Sequence, residues 1–262
     1  MSFEPILLES INYFQPKNIA TMKYRNAFFT ILFASALMLS SCWKVDYFPC
    51  VSPRGANVKE ERFTGYFDGI NLRLPAKVYV NYGKEPSISV IAPENIQEYI
   101  ETKSTGNTLV IDNSRCLKTT NNDIIIYVTM PDITFLRVAG SGNIIVDSFL
   151  YEESISAEVS GSGSIYLSGE FDRVYCSVSG SGKIDMTGSS YIQNSQISGS
   201  GRVDALDMVS ELVDIKISGS GQAWVFATKR LDARISGSGK VYYKGNPAIN
   251  INISGSGNVI HL

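Results

Sequence analysis

The chain has 262 residues, with 23 Lys and Arg against 25 Asp and Glu, a formal net charge of −2 and a mean hydropathy of +0.02. A balance this close to neutral, with no basic block and a pI of about 5.6, argues against a nucleic-acid partner. The single histidine, His261, stands next to last, which leaves a Ser-His-Asp or Cys-His scheme without a supported base.

Residues 1–21 show no periodicity, and Met22 opens a better start, so 1–21 is read as an over-extended beginning. Lys23 and Arg25 precede an apolar run from Ala27 to Leu39, followed by Leu39-Ser40-Ser41-Cys42. A basic start, a short apolar core and small residues before a cysteine make 22–41 a secretory signal, and a mainly apolar run of 13 residues is too short for a permanent bilayer-spanning helix. The segment resembles a bacterial lipobox, which implies cleavage before Cys42 and lipid attachment to it. The expected location is the cell envelope, anchored in the outer rather than the inner membrane, with the facing side unassigned. Residues 42–57, with Pro49 and Pro53, read as a tether.

From 58 to about 135 the runs Ala76 to Tyr82, Ser87 to Ala92, Thr108 to Asp112 and Asp123 to Met130 alternate or are continuously β-branched, as strands do. Pro93 to Glu101 could form one short helix, and Asn107 turns the chain back into Leu109-Val110-Ile111. These read as the irregular N-terminal coils of a repeat domain that continues to Leu262.

Over 136–262 the tetrapeptide Ser-Gly-Ser-Gly is centred on Ser162, Ser181, Ser200, Ser220, Ser238 and Ser256, with Ala-Gly-Ser-Gly at Ser141. The central serines are 21, 19, 19, 20, 18 and 18 residues apart, a period that marks stacked repeats. Each motif is flanked by period-two apolar residues, such as Val174, Cys176 and Val178 before it and Ile184 and Met186 after. One such coil cannot bury its apolar face alone, whereas stacked coils bury a continuous interior. The fold expected is all-β: a single-stranded parallel β-helix over 58–262, right-handed by the general preference of parallel crossovers. At about 4.8 Å per rung, seven motifs span roughly 29 Å.

Two accounts of the motif glycines stay open. If strand alternation continues through the motif, both glycines face inward where the walls crowd a Cβ; if the motif is a corner, glycine supplies positive φ. A second bend half a coil later is marked by Ser168-Gly169, Thr187-Gly188-Ser189-Ser190 and Lys244-Gly245-Asn246-Pro247.

Beyond Cys42 there are Cys50, Cys116 and Cys176. In an exported protein disulfides persist, and Cys50–Cys116 is a candidate bridge, while Cys176 falls on an inward position as a small hydrophobe. The spacings call for no metal and no cofactor.

Phe67-Asp68-Gly69-Ile70, the strands around Val78-Tyr79-Val80 and Ser87-Ile88-Ser89-Val90, Ala92-Pro93-Glu94-Asn95, Gly106-Asn107-Thr108-Leu109-Val110-Ile111 and the repeats occur in the order found in one known family. Over 58–262 the chain resembles the auto-transporter adhesin head GIN domain family of Bacteroidetes. The resemblance implies a β-helical envelope protein presenting a rigid surface for adhesion, and it carries over no catalytic residue.

Two outward columns follow from the register. Two residues beyond each central serine stand Asn143, Ser164, Lys183, Arg202, Gln222, Lys240 and Asn258; four beyond stand Ile145, Tyr166, Asp185, Asp204, Trp224, Tyr242 and Ile260. Tyr166, Trp224 and Tyr242 offer contact area with a polar handle, suited to a glycan or protein ligand, although stacking on one another along the sheet also accounts for them. Asp185 above Asp204, roughly 5 Å apart, fits the carboxylate separation of retaining glycosidases and raises a polysaccharide hydrolase or lyase as an alternative. Lys183 and Arg202 beside them favour a compensated surface instead. The near match to a phosphate loop, Gly-Ser-Gly-Lys at 180–183 and 237–240, lacks the following Ser or Thr. The last coil, ending on Val259-Ile260 without a cap, raises self-association of a structural module as the other alternative.

Overall fold

The computed structural model describes residues 49–63 and 65–262, so the signal segment, the start at Met22 and Cys42 lie outside the described residues. Contacts divide the chain after Pro49, and the architecture is that of the unit Cys50–Leu262. Its elements in chain order are β1 (Asn57–Arg62), β2 (Gly69–Leu72), β3 (Lys77–Tyr82), β4 (Ser87–Pro93), α1 (Glu94–Gln97), β5 (Ile100–Thr105), β6 (Thr108–Asn113), β7 (Ile125–Met130) and β8 (Phe135–Gly140). The repeats follow as β9 (Asn143–Gly161), β10 (Ser164–Gly180), β11 (Lys183–Gly199), β12 (Arg202–Gly219), β13 (Gln222–Gly237), β14 (Lys240–Lys244), β15 (Ala248–Gly255) and β16 (Asn258–His261).

Parallel coils stack into a β-solenoid of about 7 turns, the parallel β-helix that the repeat spacing predicts. Each coil runs along two walls. The residues after the motif form the first wall, ordered β4-β7-β3-β9-β10-β11-β12-β13-β14-β16, and the residues before the next motif form the second, ordered β6-β2-β8-β9-β10-β11-β12-β13-β15. Equivalent residues pair coil to coil: Val174 with Ile155 and Gln193, Cys176 with Ala157 and Ser195, Val178 with Val159 and Ile197. Inward side chains from Ile70 to Val241 form one continuous core, which no isolated coil could build.

The two accounts of the motif glycines each hold for one of them. Gly199, the first of its pair, has φ of 110°, and a Cβ on it would stand 2.7 Å from the carbonyl oxygen of Gly180 in the coil before. Gly201, the second, faces inward and is buried, and a Cβ there would run into Val178 Cγ1. The corner is further held by Ser200 N–H donating to Gly180 O at 2.9 Å and Arg202 N–H to Gly182 O at 2.9 Å. At the second bend the register breaks instead, between Tyr166 and Ser168, Asp185 and Thr187, and Ala205 and Val209. Differences in coil length are therefore absorbed at the second bend, while the Ser-Gly-Ser-Gly corner stays in step.

The interior is not wholly apolar. Gln193 and Ser195 occupy inward positions, where Ser190 and Ser210 hydroxyls lie 2.8 Å apart, Ser210 donates to Gln193 Oε1 at 3.2 Å and Gln193 Nε2 donates to Ser195 Oγ at 3.1 Å. The chain is self-satisfying, as buried polar groups must be.

At the N-terminal end β2, β3, β6, β7 and β8 continue the walls in parallel, but three pairings run antiparallel: β1 with β4, β4 with β7 and β5 with β6. The irregular coils of this region are thus wall strands closed by hairpin-like returns. The single-turn α1 lies inside the stretch expected to be helical, with Ile96 buried; Gln97 Nε2 donates to Val58 O at 2.8 Å and to Val90 O at 3.1 Å, tying the end together. A disulfide joins Cys50 to Cys116, and Asn95 bonds both Arg54 N–H at 2.7 Å and Ser52 O at 3.0 Å, so residues 50–54 of the stretch read as tether are fastened to the solenoid. No helix among the described residues is long and apolar enough to cross a membrane.

Candidate functional site

From Ser141 to Ser238, the outward residue four beyond each corner serine sits between two inward apolar neighbours, so the strand pleat points it to solvent on the first wall. Strand pairing joins these residues into one column: Tyr127, Tyr79, Ile145, Tyr166, Asp185, Asp204, Trp224, Tyr242 and Ile260. Tyr166, Trp224 and Tyr242 therefore do share a face. Trp224 and Tyr242 stack with centroids 4.9 Å apart and planes 14° from parallel. Tyr166 is separated from them by the two aspartates, and it is exposed while the stacked pair is half-buried.

Tyr79 and Tyr127 extend the column and were missed by sequence reasoning. Their rings stack at 5.3 Å and 18°. The signal was present in the alternation Val78-Tyr79-Val80 and Ile126-Tyr127-Val128, but without a Ser-Gly-Ser-Gly marker nothing placed those strands in register with the repeats.

The neighbouring basic residues are not free either. Lys183 Nζ lies 2.6 Å from Asp185 Oδ2 and 3.8 Å from Asp204 Oδ2, and 5.8 Å from the Tyr166 ring centre. The hydrogen bond to Asp185 raises the Lys183 pKa above the usual lysine range, keeping the ammonium charged between the two carboxylates. The Arg202 guanidinium lies 4.2 Å over the Trp224 ring, while Tyr242 stacks from the strand on the other side of β13. This is a polar-aromatic ladder in which cations lie over rings and bridge acids. Asp185 and Asp204 share one ammonium, so the charges on this part of the wall are compensated locally.

Cys176 is buried, its thiol 3.3 Å from Met186 Sδ, and burial pushes its pKa up to about 12. His261 is tied to the last coil through Gly245 O at 2.8 Å and a ring contact with Tyr243 at 4.7 Å. No group of three potential metal ligands comes together among the described residues.

A second feature lies at the irregular bend, a groove of about 670 Å³ walled by Tyr151, Glu153, Glu170, Asp172, Tyr191 and Glu211. At its side burial raises the Glu152 pKa, opposed by the Ile133 N–H at 3.3 Å. The sequence gives no sign of this groove because it forms where coils differ in length. Glu211 is paired with Lys229.

A family model described as putative auto-transporter adhesin, head GIN domain, matches residues 66–247. The fold is similar to that of a putative lipid binding protein from Parabacteroides distasonis, at 25% identity and TM-score 0.69 over 82% of this chain and 100% of that one. It is similar to a putative adhesin from Bacteroides fragilis at 20% identity and TM-score 0.76, over 81% and 100% of the two chains. A putative adhesin from Parabacteroides merdae matches at 20% identity and TM-score 0.66, over 81% and 98%. No curated protein matches the chain.

Proposed function

From the premise that this chain belongs to the putative auto-transporter adhesin, head GIN domain family, we propose that it is a non-enzymatic adhesin of the cell envelope, anchored by a lipid on Cys42. It presents the first wall of its solenoid to a glycan or protein ligand. The observation that carries the reading is the outward column with Tyr166, Trp224 and Tyr242 on one rigid face, interleaved with Lys183, Asp185 and Arg202. Flat rings with charged hydrogen-bonding groups one rung away give both contact area and orientation. Because a stacked wall of paired strands does not need to order on binding, the ligand meets a preformed surface.

The test is binding of the full chain to an array of bacterial and host glycans and matrix proteins, with a Trp224→Ala, Tyr242→Ala variant alongside. Binding lost in the variant supports the reading; undiminished binding removes the ladder from it, and silence across the array removes adhesion. Cys42→Ser should shift the protein out of the membrane fraction, and unchanged association with unchanged mass would defeat the lipid anchor. For the hydrolase or lyase alternative, turnover of a polysaccharide that disappears in Asp185→Asn would replace the adhesin reading.

A further inference from the structure

The last rung of the second wall is built differently from every rung before it. Ile249, Ile251 and Ile253 of β15 stand in register with Leu231, Ala233 and Ile235 of β13, which are 0%, 0% and 2% exposed; the three isoleucines are 45%, 46% and 38% exposed. They continue the core columns, and among the described residues nothing covers them. Among the described residues β15 pairs only with β13, so its outer edge offers a row of unpaired backbone groups along eight residues.

Such edges are ordinarily blunted by charge, and this molecule does so at its other end: β1, the edge beyond β4, is Asn-Val-Lys-Glu-Glu-Arg. β15 contains no charged residue at all. At the outward positions where β13 carries Asp232 and Arg234 and β12 carries Asp214 and Lys216, β15 carries Asn250 and Asn252. The run Ile249-Asn250-Ile251-Asn252-Ile253 also reads the same in both directions.

We propose that β15 pairs antiparallel with β15 of a second copy of this chain, across a two-fold axis through Ile251. The palindrome then places Ile249 opposite the partner's Ile253, Ile251 opposite the partner's Ile251, and Asn250 opposite the partner's Asn252. An axis perpendicular to the wall keeps inner face beside inner face, so the six isoleucines form one apolar patch continuous with both cores, and the asparagines form amide pairs on the outer face. A parallel arrangement would set the isoleucine face of one copy beside the asparagine face of the other. Amides in place of the charges one rung back leave no charged group to desolvate at the seam.

Single cysteines read this geometry directly. Opposed residues have Cα atoms about 4.5–5.5 Å apart, within disulfide range, whereas a residue four positions out of register is about 13 Å from its own copy. In the full chain, Ile251→Cys should form a covalent dimer under mild oxidation at least tenfold faster than Lys216→Cys, which is exposed on the same wall away from the end. Ile249→Cys and Ile253→Cys should dimerise when mixed and not singly. Equal rates at 251 and 216, or single-variant dimers at 249 and 253 matching those at 251, overturn the proposal. Ile251→Glu, at a half-exposed position that faces its own copy across the axis, sets two carboxylates opposite each other and should convert the dimer to monomer in sedimentation; a dimer that persists also overturns it.

Discussion

Alanine at Gly106, Gly199 and Gly201 separates backbone conformation from crowding as the reason for glycine. Gly106 stands at φ of 57° with open space where a Cβ would go. Alanine there meets only the left-handed backbone cost of about 1–2 kcal/mol, and the stiffer unfolded chain offsets about 0.4–1 kcal/mol of it. Gly199 stands at φ of 110° with a Cβ position 2.7 Å from Gly180 O. Here about 1–3 kcal/mol of backbone strain is joined by about 1–3 kcal/mol of overpacking. The carbonyl cannot retreat without losing its bond from Ser200 N–H. At the middle of these ranges the net is about 3 kcal/mol at Gly199 and about 1 kcal/mol at Gly106. At about 2–4 °C per kcal/mol for a domain of this size, thermal unfolding of the full chain followed by circular dichroism should show a fall of about 10 °C for Gly199→Ala and no more than about 3 °C for Gly106→Ala. Gly201→Ala, without positive φ but with a Cβ position against Val178 and 2.9 Å from Gly182 O, should fall between them. Equal shifts for Gly199→Ala and Gly106→Ala would refute the claim that coil-to-coil contact demands the corner glycine.

Cys176 should resist alkylation at pH 8 in the folded protein and react once it is unfolded; rapid native-state reaction would contradict its burial. Because its folded pKa of about 12 lies above its ordinary value of 9.0, its contribution to stability is complete below about pH 9 and is lost as pH rises toward 12, a loss that Cys176→Ala should remove from the alkaline limb. Gln193→Ala should cost about 1–3 kcal/mol, read by chemical denaturation, because it strands Ser195 without its donor in a closed interior. Lys183→Ala should destabilise by about 1 kcal/mol by leaving Asp185 and Asp204 facing each other one rung apart, and adding Asp185→Asn should restore the midpoint; no rescue would mean the lysine acts through packing alone.

The inward and outward assignment of the repeats was legible to the residue, since the Ser-Gly-Ser-Gly corner sets the phase for Val174, Cys176 and Val178 on one side and Ile184 and Met186 on the other. The shared face of Tyr166, Trp224 and Tyr242 followed from the same phase. What escaped has two physical causes. Strands without the motif, such as β3 and β7, carry no phase marker, so Tyr79 and Tyr127 had no place in the column, and the antiparallel returns of β1, β4 and β5 depend on long-range pairing that alternation does not encode. Inward Gln193 and Ser195 break the apolar pattern and are tolerated because Ser210, a bend away, bonds Gln193, which in turn bonds Ser195.

Coils of 18 to 21 residues remain aligned because every surplus residue bulges at the second bend, beside the groove of Tyr151 and Tyr191. The molecule therefore has an invariant spine and a permissive rim. A duplicated coil or a loop grafted at positions 206–208 should be accepted where the same insertion beside Ser200 would throw every later rung out of phase, so variation in what the surface displays can accumulate on one side of the stack without disturbing the part that keeps it standing.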